Sequence, residues 1–279
     1  MLKTNEFKIR DPFILPYDGT YYLYASNYVH DFIVYTSKDL ENWTEPVKVT
    51  NLPADHWGTK DFWAPEVHEY KGKFYLFGTM YSDHHNRGTQ IFRADCPMGP
   101  FEPISDGAVT PKDWMCLDGT LFVEDGKPYI VFCHEWLQIK NGTVCRAQLS
   151  DDLTHLVSEP KVLFHAKDYD FVRHEKRDPE GYVTDGPFLH RCSDGTLTMI
   201  WSSFGERGYL QSVLYSDNGR LNGRWLAQEL LFETDGGHGM IFRDFGGQLK
   251  LALHYPNSGP EHLKLFNLEE ENGKLRISE

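Results

Sequence analysis

The chain has 279 residues, of which 41 are acidic and 28 are basic, and its formal net charge is −13 at pH 7. Such an acidic composition argues against nucleic acid or an anionic membrane as a partner, because both require basic patches. No apolar run approaches the roughly 20 residues of a membrane-spanning helix, and residues 1–12 lack the apolar core of a signal peptide. The composition therefore predicts a cytoplasmic protein, unless a leader has been removed.

The cysteines do not form a recognisable metal or disulfide pattern. They are odd in number, scattered and without CxxC spacing: Cys96, Cys116, Cys133, Cys145 and Cys192. We expect buried free thiols and no zinc site.

A hairpin pattern recurs along the chain, beginning with "DPFILPYDGTYYLYAS". A short apolar strand, a glycine-containing turn and a second strand are found at residues 11–26, 64–79, 118–133, 185–202 and 238–254. The predicted turns lie at Asp18-Gly19, Lys71-Gly72, Asp125-Gly126, Asp194-Gly195 and Gly246-Gly247. Their spacing is about 52 to 54 residues, with one gap of about 69, which is typical of propeller blades.

The segments between these hairpins repeat as well. Four of them, among them "FIVYTSKDLENWTEP" and "TQIFRADCPMGPFEP", read as a strand, a polar turn and an outer strand. No segment of ten or more residues has helical periodicity. We therefore predict an all-β fold, a five-bladed β-propeller of four-stranded antiparallel blades, with residues 1–279 forming a single domain.

Carboxylates are found where the predicted inner strands begin. In a propeller these positions converge at one end of the central channel, and here they hold Asp11, Ala64 to Glu66, Asp118, Asp185 and His238. Clustered carboxylates resist joint ionisation and are costly to bury, so they point to a functional site. Cleavage of a glycosidic bond needs such a set, since one carboxyl group donates a proton to the leaving oxygen while another activates water.

With these motifs, the sequence resembles glycoside hydrolase family 43 over nearly its whole length. The motifs are "RDPFILPYDGTYYLYAS", "IVYTSKDLENW", "FWAPEVHEYKGKFYLFGT", "GPFEP", "LDGTLFVEDGKPYIVF", "TDGPFLHRCSDGTLTMIWSS" and "GGHGMIF". The resemblance implies that Asp11 is the general base, that Asp118 orients the acid and raises its pKa, and that Asp185 is the general acid. It also implies inversion of the anomeric configuration and no organic cofactor.

The acid position departs from the family pattern. The family usually has Glu in an "EGP" setting, whereas this chain has Asp185 before Gly186 and Pro187. The shorter side chain retracts the carboxyl group by roughly 1.3–1.5 Å. Either the backbone compensates or the activity is weakened; Glu180 could substitute only if its loop folded inward. A propeller that binds sugar without turnover is therefore an alternative.

Several aromatic residues are candidates for contact with sugar rings. Trp63, in the "WAPE" motif, and Trp114, before Asp118, are the first of these, and Phe13 and Phe62 could serve similarly. The alternative is packing between blades.

His238 and Arg243 are candidates for a metal ligand and an orienting cation. In the family, a histidine at the position of His238 faces the axis and can bind hydrated calcium, so an optional Ca²⁺ is expected there, although calcium prefers oxygen ligands. Arg243, five residues later on the same strand, would orient the carboxylates; the alternative is a surface arginine.

Two polar segments are expected to border the pocket. "SDHHNRG" (82–88) would form a rim rather than a metal site, because adjacent strand residues point to opposite faces. The charged segment 165–182 would close off one side of the mouth of the central channel, here called the funnel, and favour action on chain ends.

The expected substrate is an arabinose- or xylose-containing oligosaccharide. An α-L-arabinofuranosidase is favoured over a β-xylosidase, because many β-xylosidases of the family carry an added β-sandwich that 279 residues do not accommodate.

Overall fold

The hairpins of the sequence form five antiparallel sheets that are arranged as the blades of a propeller. The computed structural model describes residues 1–26 and 31–278. The first long strands of the five sheets, which begin at residues 10, 60, 116, 185 and 237, contact one another in a closed ring and line the channel.

The strands of each blade follow in chain order. Blade I contains β1 (Leu2–Lys3), β2 (Arg10–Tyr17), β3 (Thr20–Ser26), β4 (Ile33–Ser37), β5 (Asn42–Trp43) and β6 (Val47–Lys48). Blade II contains β7 (Lys60–Tyr70), β8 (Lys73–Ser82), β9 (His85–Ala94) and β10 (Glu102–Pro103). Blade III contains β11 (Cys116–Glu124), β12 (Lys127–His134), β13 (Thr143–Gln148) and β14 (Lys161–His165). Blade IV contains β15 (Asp185–Arg191), β16 (Leu197–Gly205), β17 (Gly208–Ser216) and β18 (Trp225–Ala227). Blade V contains β19 (Gly237–Arg243), β20 (Leu249–Tyr255), β21 (His262–Glu271) and β22 (Lys274–Ile277).

Helical structure is minimal in the part of the chain that the structure describes. It consists of α1 (Trp136–Ile139) and a 3₁₀ turn (Ala166–Asp168). No helix among these residues is long and apolar enough to cross a membrane. The predicted propeller is confirmed, and the one difference is that blade I has six strands rather than four, since β1 and β6 add to its outer edge.

The inner hairpins close with the turns that the sequence predicts. In the first three blades both turn residues have positive φ, for example Asp18 at 44° and Gly19 at 66°. This is the backbone of a type I′ turn, which suits the twist of paired strands and requires residues that tolerate positive φ. In blades IV and V only the second turn residue, Gly195 or Gly247, has positive φ, so these turns are of another type.

The ring closes where blade V meets the beginning of the chain. The N–H of Ile9 donates to the carbonyl of Glu261 at 2.8 Å, and Nδ1 of His262 lies 3.0 Å from the carbonyl of Phe7. Strand β1 pairs with β5 of its own blade rather than with blade V. The ring is therefore held by contacts between β2 and the strands of blade V, which fix the position of Asp11.

Candidate active site

Each inner strand has an irregularity near its start that turns one residue toward the channel. The register shifts after Arg10, Trp63, Leu117, Asp185 and Gly237. The residue that follows each of these has a left-handed backbone, with φ of 51° at Asp11, 43° at Ala64, 56° at Asp118, 50° at Gly186 and 51° at His238. Positive φ at residues other than glycine stores strain and is common at functional sites.

This register corrects one expectation from the sequence. Asp11, Asp118 and His238 do occupy equivalent positions, but in blade IV that position belongs to Gly186. Asp185 lies one residue earlier, at the position of Arg10 in blade I and Trp63 in blade II. The acid candidate therefore approaches the channel from a different backbone position than the other two carboxylates.

A repeated hydrogen bond fixes these left-handed residues to the neighbouring blade. The N–H of Ala64 donates to Oγ of Ser26 at 2.6 Å. The same bond joins Asp118 to Oγ1 of Thr79 at 2.9 Å and His238 to Oγ of Ser202 at 2.6 Å. Asp11 makes it to Nδ1 of His254 at 3.2 Å. The exception is Gly186, whose N–H donates instead to Oδ2 of Asp118 at 2.9 Å.

Asp11 is buried and surrounded by groups that favour its ionised form. Oγ of Ser26 donates to its Oδ2 at 2.7 Å, Nδ1 of His238 lies 3.1 Å from its Oδ1, and Nε of Arg10 lies 3.7 Å from the same oxygen. Although burial acts to raise it, the pKa of Asp11 is lowered to about 2 by the charges of His238 and Arg10 and by the Ser26 hydrogen bond. Its Oδ1 is buried and accepts no hydrogen bond within residues 1–26 and 31–278, and it is held by the charges of His238 and Arg10.

Asp118 is buried as well, but its surroundings favour the protonated form. Its burial and the nearby Asp185 and Asp11 carboxylates raise its pKa, against the charge of His238 and the N–H of Gly186. Its Oδ2 lies 3.9 Å from Nδ1 of His238. The three carboxylates in turn raise the pKa of His238, although its burial acts to lower it, so the imidazole tends to carry a positive charge between them.

Asp185 is the most open of the three carboxylates. It is half-buried, whereas Asp11 and Asp118 are each 7% exposed. The hydroxyl of Tyr209 donates to its Oδ2 at 2.8 Å. The surrounding protein raises the pKa of Asp185 by desolvation, against the charge of His238 and the Tyr209 bond. Its access to the funnel and its raised pKa are both properties of a proton donor.

Arg10, the residue before Asp11, belongs to the site but was not predicted from the sequence. Arg10 donates through Nη1 to Oδ1 of Asn257 at 3.0 Å and to Oε1 of Glu261 at 3.3 Å, with about a third of its side chain exposed. Its charge also acts on Asp185. The only signal was its position directly before Asp11 in "RDP".

His254 is the second residue that was missed. It is fully buried, and burial lowers its pKa to about 3, so it is neutral. Nδ1 accepts the N–H of Asp11, Nε2 lies 3.1 Å from Oδ1 of Asn257, and the ring stacks on Tyr209 with centroids 5.6 Å apart. His254 therefore connects the base candidate to the tyrosine that holds Asp185.

The aromatic candidates separate into exposed and buried residues. Trp63 is 36% exposed at the start of β7, which is compatible with sugar contact. Trp114 is half-buried and stacks on His134 with centroids 4.2 Å apart; its contact with substrate stays a prediction.

Phe13 and Phe62 are both buried, contrary to the expectation that they could contact sugar rings. Phe13 is 5% exposed and packs against His68 and Phe188 inside the channel. Phe62 is 4% exposed and packs edge-on against Phe32, because it points to the opposite face of β7 from its neighbour Trp63.

Arg243 is also a correction. It lies at the far end of β19, five residues beyond His238, a distance of roughly 16 Å along a strand. Its side chain is 53% exposed and contacts Glu270 and the carbonyl of Gly247. It therefore does not orient Asp11, Asp118 or Asp185.

The surroundings of His238 do not form a direct calcium site. Its Nδ1 faces Asp11 and Asp118 as an ion-pair partner, whereas calcium requires six to eight oxygen ligands. Among the described residues, the group of three or more ligand atoms within 4.8 Å of one another is His190, Cys192 and Glu270, with Nη2 of Arg243 only 3.4 Å from the Glu270 carboxylate. Hydrated calcium at the axis stays a prediction.

A second charged cluster lies beside the funnel, between blades II and III. Arg87 is buried and pairs with Asp61 at 2.7 Å and, through its other terminal nitrogen, with Glu135. Its guanidinium lies over the ring of Trp63, 4.3 Å from the centroid. The Trp63 ring therefore packs on a buried cation while 36% of the side chain remains exposed to solvent.

The two polar segments lie at the rim, as expected. Residues 83 and 84 form the turn between β8 and β9, with His84 and His85 exposed. Segment 165–182 packs between blades III and IV: the N–H of Arg173 donates to the carbonyl of Phe204, and Lys140 pairs with Asp178. Glu180, the alternative acid, is exposed in this segment and its N–H donates to Oδ1 of Asp178.

Comparison with known proteins identifies the family. Residues 5–270 match the profile described as glycosyl hydrolases family 43. The chain belongs to glycosyl hydrolases family 43. Within this family it is 39% identical to a solved structure described as an endo-arabinase from Bacteroides thetaiotaomicron VPI-5482, with a TM-score of 0.93 over 98% of this chain and 99% of that one.

Two further relatives differ in the activity that their names give. A structure described as an endo-1,4-β-xylanase from the same organism is 25% identical, with a TM-score of 0.82 over 98% of this chain and 95% of that one. An extracellular exo-α-(1→5)-L-arabinofuranosidase of Cellvibrio japonicus (strain Ueda107) is 25% identical over 168 residues, which are 54% of this chain. The match spans 46%, about half, of the length of that curated relative.

Proposed function

We propose that the protein is an inverting glycoside hydrolase that releases α-L-arabinofuranose from arabinose-containing oligosaccharides. The observation that carries this proposal is the contrast between Asp11 and Asp185. The pKa of Asp11 is lowered to about 2, whereas that of Asp185 is raised, so Asp11 ionises first of the two. Such a pair supplies the base and the acid of glycoside hydrolysis.

In this proposal each carboxyl group has a separate role. Asp185 protonates the glycosidic oxygen as the bond to the anomeric carbon breaks. Asp11 takes a proton from the water that attacks the same carbon from the opposite face, so the product has the inverted configuration. Asp118 touches neither reacting group; it holds the N–H of Gly186, next to Asp185, and disfavours a further negative charge there.

The choice of arabinose rests on the relatives. Two of the three proteins compared carry arabinose-specific names, and one of these is the relative at 39% identity. The xylanase relative, at 25% identity, makes a β-xylosidase the alternative among exo-acting enzymes.

The preference for chain ends rests on segment 165–182. It is anchored to blade IV through Arg173 and to the residue after α1, Lys140, through Asp178. In this proposal the segment narrows one side of the funnel. Endo cleavage of arabinan is a second candidate, because the relative at 39% identity is described as an endo-arabinase. The two modes differ in their first products from linear arabinan: arabinose alone for an exo enzyme, and a mixture of oligosaccharides for an endo enzyme.

Proton NMR of the reaction would test the proposal. Arabino- and xylo-oligosaccharides are incubated with the wild type and with Asp11→Ala and Asp185→Ala, and the anomeric signals are followed from the first minutes. We expect the wild type to release arabinose in the inverted configuration and both variants to be strongly impaired.

The other outcomes have distinct meanings. If xylose is the product, the protein is a xylosidase and not an arabinofuranosidase. Retention of configuration would contradict the assignment of Asp11 as a base. If the wild type perturbs sugar signals without cleaving either series, the protein is a sugar-binding propeller and the enzymatic proposal fails.

A further inference from the structure

A cavity of about 380 Å³ opens beside blade II, outside the ring of carboxylates. Three segments line it: residues 53–57, which lead into β7, residues 85–88, at the start of β9, and residues 103–112, which lead toward β11. Antiparallel topology places all three at the end of the propeller where the inner strands begin. The cavity therefore opens on the same face as Asp11, Asp118 and Asp185.

The cavity has a fixed wall. Gln90 is 2% exposed, and its Oε1 accepts the indole N–H of Trp57 at 2.7 Å and lies 2.8 Å from Nε2 of His56. Its amide donates to the carbonyl of Ser105 at 3.0 Å. One buried side chain thus ties two of the three segments together and holds the Trp57 ring in place.

The lining has the chemistry of a site for neutral sugars. The half-buried ring of Trp57 offers an apolar surface, and exposed polar groups surround it: His85, Asn86, Asp106 and Lys112. The charged residues of the lining are of both signs, Asp55 and Asp106 against Arg87 and Lys112, so the lining does not select an ion of either sign. An aromatic surface among hydrogen-bonding groups in a cavity of this size suits a polyhydroxylated ring.

Arg87 connects this cavity to the funnel. It lines the cavity, supports Trp63 at 4.3 Å, and pairs with Glu135. Glu135 directly follows His134, which pairs with Cys116, two residues before Asp118, so the Arg87–Glu135 pair lies at the carboxylate end of blade III. In the proposed mechanism Asp185 protonates the glycosidic oxygen of the leaving group. Arg87 contacts both Trp63 and the cavity, so a leaving-group chain that passes over Trp63 would lead toward the cavity.

We propose that the cavity around Trp57 is a subsite for the leaving-group chain of a pentose oligosaccharide, distal to the cleaved bond. This proposal rests on the proposed function for its orientation, with the leaving group toward blade II, but binding at Trp57 can be measured without turnover. The chemical class of ligand is a neutral chain of arabinose or xylose units.

Calorimetric titration in the Asp185→Ala background would test the subsite. Arabinobiose, arabinotetraose and xylotetraose are titrated into this protein and into the same protein with Trp57→Ala. We expect Trp57→Ala to weaken arabinotetraose binding about tenfold, the loss of one aromatic contact of about 1.4 kcal/mol, and arabinobiose binding by less than about twofold. If Trp57→Ala instead weakens xylotetraose binding by this amount and leaves arabinotetraose binding unchanged, the subsite exists but binds xylan chains.

Two further variants guard against a general loss of structure. Asp106→Ala changes an exposed group of the lining and should also weaken tetraose binding selectively. Phe245→Ala removes a 50% exposed aromatic ring in the loop after β19, at the opposite end of the propeller, and should leave tetraose binding unchanged. Equal weakening for both chain lengths, or no weakening of any tetraose by either lining variant, would overturn the subsite. Selective binding at Trp57 by a protein whose wild type cleaves no glycan would instead overturn only the proposed function.

Discussion

The N–H of Gly186 donates a hydrogen bond of 2.9 Å to Oδ2 of Asp118. In the other four blades the equivalent N–H donates to a side chain on the second strand of the preceding blade: Ser26, Thr79, Ser202 or His254. The corresponding position in blade III, opposite Leu117, is Cys133. A thiol is a weak acceptor, which explains why this N–H is available to the carboxylate.

Cys133→Ser should therefore disturb the carboxylates although it changes one buried atom. A hydroxyl at this position can accept the Gly186 N–H, as in the other blades, and the bond to Asp118 would weaken. Because that bond lowers the pKa of Asp118, its loss should raise the pKa further, and the displaced backbone should lower kcat by up to about tenfold. The pH dependence of kcat on arabinobiose measures both effects.

Cys145→Ser is the matched control. Cys145 is also a buried thiol, on β13, but it pairs with Phe132 and points away from Cys133. If both variants lose activity equally, buried hydroxyls in blade III are simply tolerated poorly. If neither changes the profile, the link from Cys133 to Asp118 is wrong.

Tyr209→Phe should shift the basic limb of the pH profile to higher pH. The Tyr209 hydroxyl bonds the carboxylate of Asp185 and thereby lowers its pKa, so removing it should let Asp185 keep its proton to higher pH. A net hydrogen bond of about 1 kcal/mol corresponds to a shift of roughly 0.7 pH units. The ring itself is retained against His254.

The measurement is kcat/KM for arabinobiose between pH 4 and 9. Tyr215→Phe, six residues later on the same strand, controls for the loss of a hydroxyl from β17. A basic limb that stays in place or moves to lower pH in Tyr209→Phe would show that Asp185 is not the group that titrates.

The fold could be predicted because its signals are local. Asp18-Gly19 and Asp125-Gly126 are residue pairs that tolerate positive φ at both positions, and the structure has it at both. The recurrence of such hairpins then leaves few arrangements other than a propeller. The extra strands of blade I could not be predicted, because β1 and β6 have only two residues each and depend on pairing with distant strands.

The site was only partly predictable, because it depends on register and on second strands. Asp185 lies one residue before the position that Asp11 and Asp118 occupy in their blades. This offset arises from the register shift between Asp185 and Phe188, which the residue pattern does not indicate. His254 and Tyr209 reach the site from β20 and β17, and a neutral buried histidine cannot be told from any core histidine in a sequence. Phe62 and Trp63 are adjacent aromatics, and only the pairing of β7 decides which of them is exposed.

Arg87→Met should destabilise the fold, whereas Glu135→Gln should have little effect. Removing Arg87 leaves the carboxylates of Asp61 and Glu135 together in a mostly buried site, with side chains 26% and 7% exposed, at a cost of about 3 kcal/mol. Glu135→Gln retains the Arg87–Asp61 pair and should cost about 1 kcal/mol. Urea unfolding at pH 7 measures the difference.

The pH dependence of the same variants gives a second check. Burial already raises the pKa of Glu135, and without Arg87 its folded-state pKa should lie further above the unfolded value, so the protonated, folded form gains stability as the pH falls. The deficit of Arg87→Met relative to the wild type should therefore shrink between pH 7 and pH 5. A deficit that is small at pH 7, or that grows at pH 5, would mean that the pair is solvated rather than buried.

Substitutions of Asp185 and Asp11 should separate acid from base by their dependence on the leaving group. Asp185→Ala should lower kcat/KM for arabinobiose by a factor of about 10² to 10⁴ but affect an aryl arabinofuranoside far less, since a good leaving group needs little protonation. Asp11→Ala should impair hydrolysis of both substrates alike, because water must be activated in either case.

Asp185→Glu tests whether this site is built around the shorter side chain. Tyr209 already holds the Asp185 carboxylate at 2.8 Å, and an added methylene would displace the carboxylate by roughly 1.3–1.5 Å, which should lower kcat/KM about 100-fold. A gain in activity for Asp185→Glu would mean that the acid is positioned too far from the bond it protonates, and equal losses on both substrates for Asp185→Ala would remove Asp185 from the role of proton donor.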